Sequence, residues 1–533
     1  MQNRKATVWN RTRTPTSSRQ GTKQHRENFL GFRTRSLRDL TTFAHLARSC
    51  ILHINKSSVS IWSSPTRTGQ PKLYTEDTRM SHKKCSHSPS VAVLSIVTTT
   101  VLVFAASAAA QKETVLLKFE TTNLTGGVFP IGGLIFDAEG NLYGTTSIGG
   151  TYRDGTVFEL ALNAQGAWTE KVLHSFKYDN GKDGSGPVGN LVMDKDGNLY
   201  GITISGGSVS SCFTGPCGVV FELTPAAGGN WNEKILHNFG QGKDGFDPVA
   251  GLVLDSAGNL YGTTQFGGNG PCLGSFAVVG CGVVFELSPA ADGSWTEKIL
   301  HDFQGPDGFG PQAGLVLDAQ GNLYGTAFYG GHNPICYRGG GFGCGNVFEL
   351  TPKVGGQWIE NVLHEFGIGN DGTLPEGNLV FDSSGNLYGT TLRGGVNGSG
   401  TVFELSPRTG GGWTEKVLHD FNQNGSDGYN VYAGVTLDMY GNLYGTTALG
   451  GTGAGCDGNG CGTVFELKPA ASGAWVEYIL YEFSLNQGTN PPSGLILDSY
   501  GNLYGVTEFG GTSLCTFGTK TVVGCGTVFE ITP

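Results

Sequence analysis

Ten of the twelve cysteines fall in five close pairs: Cys212 with Cys217, Cys272 with Cys281, Cys336 with Cys344, Cys456 with Cys461, and Cys515 with Cys525. Every pair lies between a Gly-Gly and a Val-Phe, and the second cysteine always directly precedes a glycine. Two thiols so near in sequence can close a disulfide or supply half of a metal site. A structural zinc site needs four converging ligands, and these loops bring two cysteines each with no histidine except His332. Disulfides are therefore expected, and with them an oxidising compartment. The equivalent loops at 151–155 and 396–400 are shorter and carry no cysteine, as fits bridges that limit loop entropy.

Two other repeated residue types could do chemistry. Asp183, Asp244, Asp307, Asp371 and Asp427 each precede a glycine at matching places. Five such carboxylates could gather Ca²⁺ or a cationic ligand near a channel mouth, although Asp-Gly is also good turn chemistry. No other cofactor is expected. His174, His237, His301, His364 and His419 also recur, but Leu117 and Tyr481 stand at the same place in the remaining copies. Neither is a ready zinc ligand, so the histidines read as packing residues. Residues that depart from the repeat are Arg153, His332, Tyr337, Arg338, Arg393 and Glu508, with His332 and Arg338 sharing one loop. G-x-S-x-G, H-E-x-x-H and a phosphate-cradling loop are all missing from the sequence, and no catalytic residue is assigned.

The elements that must position these residues are repeated. Gly-Asn-Leu-Tyr-Gly begins at Gly140, Gly197, Gly258, Gly321, Gly385, Gly441 and Gly501. Behind each comes Val-Phe-Glu-Leu or a near copy, at Phe158, Phe221, Phe285, Phe348, Phe403, Phe465 and Phe529. A third element starts at Trp168, Trp231, Trp295, Trp358, Trp413 and Trp475, which is one copy short. The missing copy is at the other end, where Glu113, Val115, Leu116 and Phe119 match Glu170, Val172, Leu173 and Phe176. A closed ring has this offset, because its last unit is completed by the strand the first unit left over. In the third copy the spacing predicts strands at 251–255, 259–264, 283–287 and 295–303, with an Asp-to-Gly turn between the first two. The expectation is an all-β fold, a seven-bladed β-propeller of four-stranded blades, closed by the mature N-terminal strand.

Composition agrees. With 88 Gly and 21 Pro in 533 residues, long helices are disfavoured, while 38% apolar and 11% aromatic content argues against collagen and disorder. Charge divides the chain: residues 1–79 carry 15 Lys and Arg against four Asp and Glu, whereas residues 111–533 carry 17 against 40. So acidic a body repels phosphate backbones and anionic lipid, which excludes nucleic acid as its partner. Lys83 and Lys84 precede an uncharged run, 91–110, ending in Ala-Ser-Ala-Ala-Ala. These are the parts of a secretory signal peptide starting at Met80, cleaved before Gln111; membrane attachment is expected only if 91–110 stays uncleaved. The domains are then 1–79, a basic, disordered or mis-assigned upstream stretch; 80–110, the signal peptide; and 111–533, the propeller. Cys50 and Cys85 fall in the removed part.

The Gly-Asn-Leu-Tyr-Gly-Thr-Thr, Gly-Gly and Gly-Thr-Val-Phe-Glu-Leu segments resemble the GloVer repeat, the Gloeobacter and Verrucomicrobia tandem repeat of exported bacterial proteins, across essentially all of 111–533. That resemblance implies a secreted or surface-attached bacterial protein and transfers no enzyme activity or binding residue. Anchored members carry a C-terminal anchor, and none follows Thr532-Pro533, which points to release. The function expected is an exported, non-catalytic binding or scaffold propeller presenting disulfide-braced loops to a glycan, peptide or surface protein. The alternative is an extracellular propeller hydrolase or lyase acting on polysaccharide or lactone, with or without a metal.

Overall fold

The computed structural model describes residues 111–120 and 126–533, apart from 179–181, 210–211, 213–216, 242, 273–278, 334–335, 337–342, 457, 513 and 518–519. The expected upstream and signal segments, with Cys50 and Cys85, lie outside the described residues, as do Tyr337 and Arg338.

Each repeat forms one antiparallel sheet. In the third, Val253–Leu254, Leu260–Thr264, Val283–Pro289 and Trp295–Asp302 pair in chain order, so all four expected strands form. The first is shorter than expected because its leading residues leave the ladder for the centre of the ring. Seven such sheets make a seven-bladed β-propeller. In the seventh the outermost strand is the N-terminal one: Lys112–Lys118 pairs antiparallel with Thr527–Thr532.

Local chemistry explains why the blades are alike. In the turn before Gly-Asn-Leu-Tyr-Gly, the Asp255 carboxylate accepts from the backbone N–H of Ala257 (2.9 Å) and Asn259 (2.8 Å), from the Asn259 amide (2.8 Å) and from the Tyr261 hydroxyl (3.1 Å). Asp137, Asp194, Asp318, Asp382, Asp438 and Asp498 hold the same four donors. The motif's second glycine is required by close approach: a Cβ on Gly262 would lie 2.6 Å from the Phe285 ring. Short ladders that the sequence did not announce join the glycine after Asp244 and Asp427 to the first of the Gly-Gly pair, Gly245 to Gly267 and Gly428 to Gly450.

The core is distributed among seven seams, each apolar cluster drawing on two neighbouring blades. At each seam a phenylalanine at the end of an outer strand meets edge-on the Val-Phe phenylalanine of the next blade. The pairs are Phe176 with Phe221, Phe239 with Phe285, Phe303 with Phe348, Phe366 with Phe403, Phe421 with Phe465, Phe483 with Phe529, and Phe119 with Phe158, at 5.0–5.4 Å. Burying each ring contributes roughly 1.5–3 kcal/mol, and the edge-to-face contact about 0.5–1.5 kcal/mol more. Among the described residues no helix is long and apolar enough to cross a membrane.

Candidate functional site

The segments leading into the seven first strands surround a central cavity of ≈ 600 Å³. One position of the repeat faces it from every blade, and there the repeat stops being a repeat: the residues are Ile131, Val188, Val249, Gln312, Glu376, Tyr432 and Pro492. Four adjacent ones, from Pro492 round to Val249, are apolar, and the other three are polar. Glu508 adds a second carboxylate at the wall and accepts a hydrogen bond from the Asn490 side-chain amide.

The electrostatics of this polar side are unusual. Burial alone pushes the Glu376 carboxyl up to about 7. Burial also raises Glu508, against the lowering effect of the Asn490 bond. The Tyr432 hydroxyl is raised by burial and then by the Glu376 charge, which Arg393 opposes and Glu508 reinforces. A carboxyl near neutrality in a cavity is able to accept or donate a proton as well as a hydrogen bond.

The mouth is held by strained backbone. Two residues before each cavity-facing position the chain is left-handed in all seven blades, at Phe129, Gly186, Asp247, Gly310, Leu374, Asn430 and Asn490, with φ from 53° to 65°. For Phe129 and Leu374 this costs on the order of 1–3 kcal/mol and persists only where neighbours fix it. The neighbour is the preceding blade's disulfide loop. The N–H groups of Phe129, Gly310, Leu374 and Asn490 donate to the carbonyls of Cys525, Cys281, Cys344 and Cys461 at 2.8–3.1 Å, and Gly186 donates likewise to Asp154 in a short loop.

All five cysteine pairs are bonded within their own loops, Cys212–Cys217, Cys272–Cys281, Cys336–Cys344, Cys456–Cys461 and Cys515–Cys525. The aspartates do not gather at the channel. None of the five lines the cavity. Each instead faces the histidine of its own outer strand: Asp183 with His174, Asp244 with His237, Asp307 with His301, Asp371 with His364 and Asp427 with His419. The Asp-Gly turn folds back along the blade and brings the carboxylate to the seam rather than the axis. There the next blade contributes a glutamate from its Trp-x-Glu, as Glu233 beside His174, Glu297 beside His237 and Glu477 beside His419. Burial, followed by repulsion from the neighbouring aspartate, pushes Glu233 up to about 9 and Glu297 up to about 8. The histidines also pack edge-on against phenylalanine, as the sequence led one to expect.

Of the off-pattern residues, His332 is exposed and paired with Glu365 at 2.8 Å, and Arg153 sits in an exposed turn. Arg393 and Glu508 belong to the cavity's surroundings. Glu376 and Tyr432 escaped notice, although their departure from the Ile, Val and Pro of other copies was visible in an alignment of the repeats.

The Gloeobacter/Verrucomicrobia repeat model matches residues 95–336 and 334–533. No match was found among curated proteins. Similar solved structures include an ancestral GH74 enzyme, with 9% identity over 76% of this chain and 49% of that one, TM-score 0.46. Others are a protein proposed to be a gluconolactonase (14% identity, 63% and 89%, TM-score 0.34) and a protein of unknown function from Dyadobacter fermentans DSM 18053 (11% identity, 80% and 100%, TM-score 0.36). All three are distant, and nothing about this chain's chemistry follows from them. The seven-fold motif and the family match over nearly all of the propeller place the chain in the Gloeobacter/Verrucomicrobia repeat family.

Proposed function

We propose that this is an exported, non-catalytic binding propeller that takes a neutral or cationic, hydroxyl-rich ligand of the glycan class in its central cavity. One observation carries the reading: the cavity-facing position holds six different residue types in seven blades, with only valine recurring, while its immediate neighbours are nearly constant. A residue that serves only the ring would be alike in each copy. An apolar side opposite a Gln, Glu and Tyr suits a sugar ring, whose C–H face packs on aliphatic groups while its hydroxyls bond to carboxylate and amide. The volume is within the roughly 300–1,000 Å³ of small-ligand pockets. The acidic body disfavours anionic ligands.

Calorimetric titration and a glycan array, run on wild type and on Tyr432→Ala and Glu376→Ala, test it. Binding that both variants weaken at least tenfold supports the cavity. Binding that neither variant affects, or a failure to bind glycans at all, overturns it and leaves a peptide or surface protein at the loop face. A second reading rests on Glu376 alone. Its carboxyl near neutrality would suit proton transfer in a hydrolase or lyase acting on polysaccharide or lactone. Turnover that Glu376→Gln abolishes without loss of binding would favour that reading.

A further inference from the structure

We propose that four of the blade seams are divalent transition-metal sites, each formed by a histidine and an aspartate of one blade and a glutamate of the next. The sets are His174, Asp183 and Glu233; His237, Asp244 and Glu297; His364, Asp371 and Glu415; and His419, Asp427 and Glu477. In each, one imidazole nitrogen and two carboxylate oxygens lie within 4.8 Å of one another.

At two of the four seams the separations are those of metal ligands rather than of hydrogen-bond partners. His174 Nε2 lies 3.6 Å from Asp183 Oδ2 and 3.7 Å from Glu233 Oε1. His419 Nε2 lies 3.6 Å from Asp427 Oδ2 and 3.5 Å from Glu477 Oε1. These are long for hydrogen bonds, yet close to the roughly 3.3–3.5 Å between ligand atoms that each stand about 2.0–2.2 Å from a tetrahedral zinc ion. At the His237 and His364 seams the histidine approaches its aspartate at 2.9 Å, while at the former Glu297 stays 3.7 Å away.

Unsatisfied polar atoms give the second, independent sign. Nε2 of His174 and His419 and Oδ1 of Asp371 are buried without a hydrogen-bond partner; the seam glutamate leaves its Oε1 unpartnered in all seven blades, so the histidine and aspartate atoms are what set the triads apart. Asp244 and Asp427, whose side chains are 3% and 5% exposed, each leave a further buried oxygen unpartnered. Buried polar atoms in folded proteins are nearly always satisfied, so a recurring set of orphans converging on one point marks a missing partner. Two carboxylates and an imidazole call for a dication. Three protein ligands of this N,O type fit zinc better than calcium, which takes six to eight oxygens. Because the glutamate comes from the neighbouring blade, each ion would clasp a seam.

The molecule supplies its own controls. At one further seam the equivalent residues are Tyr481, Gln487 and Glu113, where Glu113 Oε2 accepts from the Tyr481 hydroxyl and the Gln487 amide at 3.2 Å and only its Oε1 is left without a partner. At another, Leu117 stands in the histidine's place. His419→Tyr with Asp427→Gln therefore copies a seam that this protein already builds, and His174→Leu with Asp183→Gly copies the other, where Gly126 stands in the aspartate's place.

The experiment is elemental analysis and native mass spectrometry of the full chain after zinc loading and dialysis, with cobalt substitution to read ligand geometry. Four zinc equivalents are expected in wild type and three in either variant, with a melting temperature that chelator lowers. A count near zero, or a count that neither variant reduces, overturns the proposal and leaves the triads as hydrogen-bonded staples.

Discussion

Glu376 sets a pH dependence that can be measured on one residue. Its carboxyl stands at about 7 in the folded protein against 4.5 unperturbed, and burial is the cause. A group raised in this way binds its proton more tightly when folded. Its contribution to stability is full below about 4.5 and is lost as pH rises through about 7. Water in the cavity screens the effect, which leaves no more than about 2 kcal/mol. Tyr432 is the neighbouring group that feels its charge, together with those of Arg393 and Glu508. We expect Glu376→Gln to gain on wild type in urea midpoint between pH 5 and pH 8; a difference that stays constant across that range would assign the raised value to something other than this carboxyl. A second residue-scale test concerns Gly262, where the Cβ of Gly262→Ala would strike the Phe285 ring. Overpacking of this kind costs about 1–3 kcal/mol, seen as a lowered urea midpoint with unchanged slope. The sequence announced Gly258 by its turn chemistry, but it could not announce Gly262, whose constraint comes from a ring on the adjacent strand. The five aspartates were misplaced for a like reason: turn propensity does not say which way the carboxylate folds back, and the glutamate that meets it at the seam comes from the outer strand of the next blade.

The disulfide loops are the elements where sequence and structure agree best, because cysteine spacing, loop length and the following glycine are all local signals. What was not legible is their use. The carbonyls of Cys281, Cys344, Cys461 and Cys525 receive the N–H of the left-handed residue of the next blade, so these loops brace a mouth they do not line. Cys272→Ala with Cys281→Ala removes a bridge of sequence separation 9 and should cost about 2–3 kcal/mol by loop entropy. More telling is where the loosening goes. The Gly310 amide, bonded to Cys281 at 2.9 Å, should lose hydrogen-exchange protection while the Asp255 turn keeps its own. Release of the loop with Gly310 still protected would show that the bridge braces nothing beyond itself. The two-residue ladders such as Gly245–Phe246 with Phe266–Gly267 were also unread. They are too short for alternation to show, and only the register of the Gly-Gly pair fixes them.

At the scale of the whole molecule, the offset between seven copies of two motifs and six of the third was enough to read the architecture, because a ring imposes a count that no local propensity contains. Its consequence is a dependence on the first ten residues of the propeller. Lys112–Lys118 pairs along Thr527–Thr532, Phe119 covers Phe158 of the first blade, and Glu113 accepts from Tyr481 and Gln487. A chain lacking 111–120 would expose the edge of Thr527–Thr532 and the face of Phe158 together, and exposed edges of that kind associate. We expect it to melt well below the intact propeller and to aggregate. Low stability could equally come from losing any strand, so the decisive variant restores the strand from the other end. In the third blade Ser288 pairs with Thr296 next to a tight turn, and Thr532 pairs with Lys112 in the equivalent geometry. Residues 111–120 appended after Pro533 through a copy of 290–294 would enter the seventh blade as a hairpin, like the fourth strand of any other. If the permuted chain recovers the melting temperature of the original, the strand acts by completing the ring. If it stays as unstable as the deletion, the N-terminal segment matters for how the chain folds and not for the closed ring it ends in.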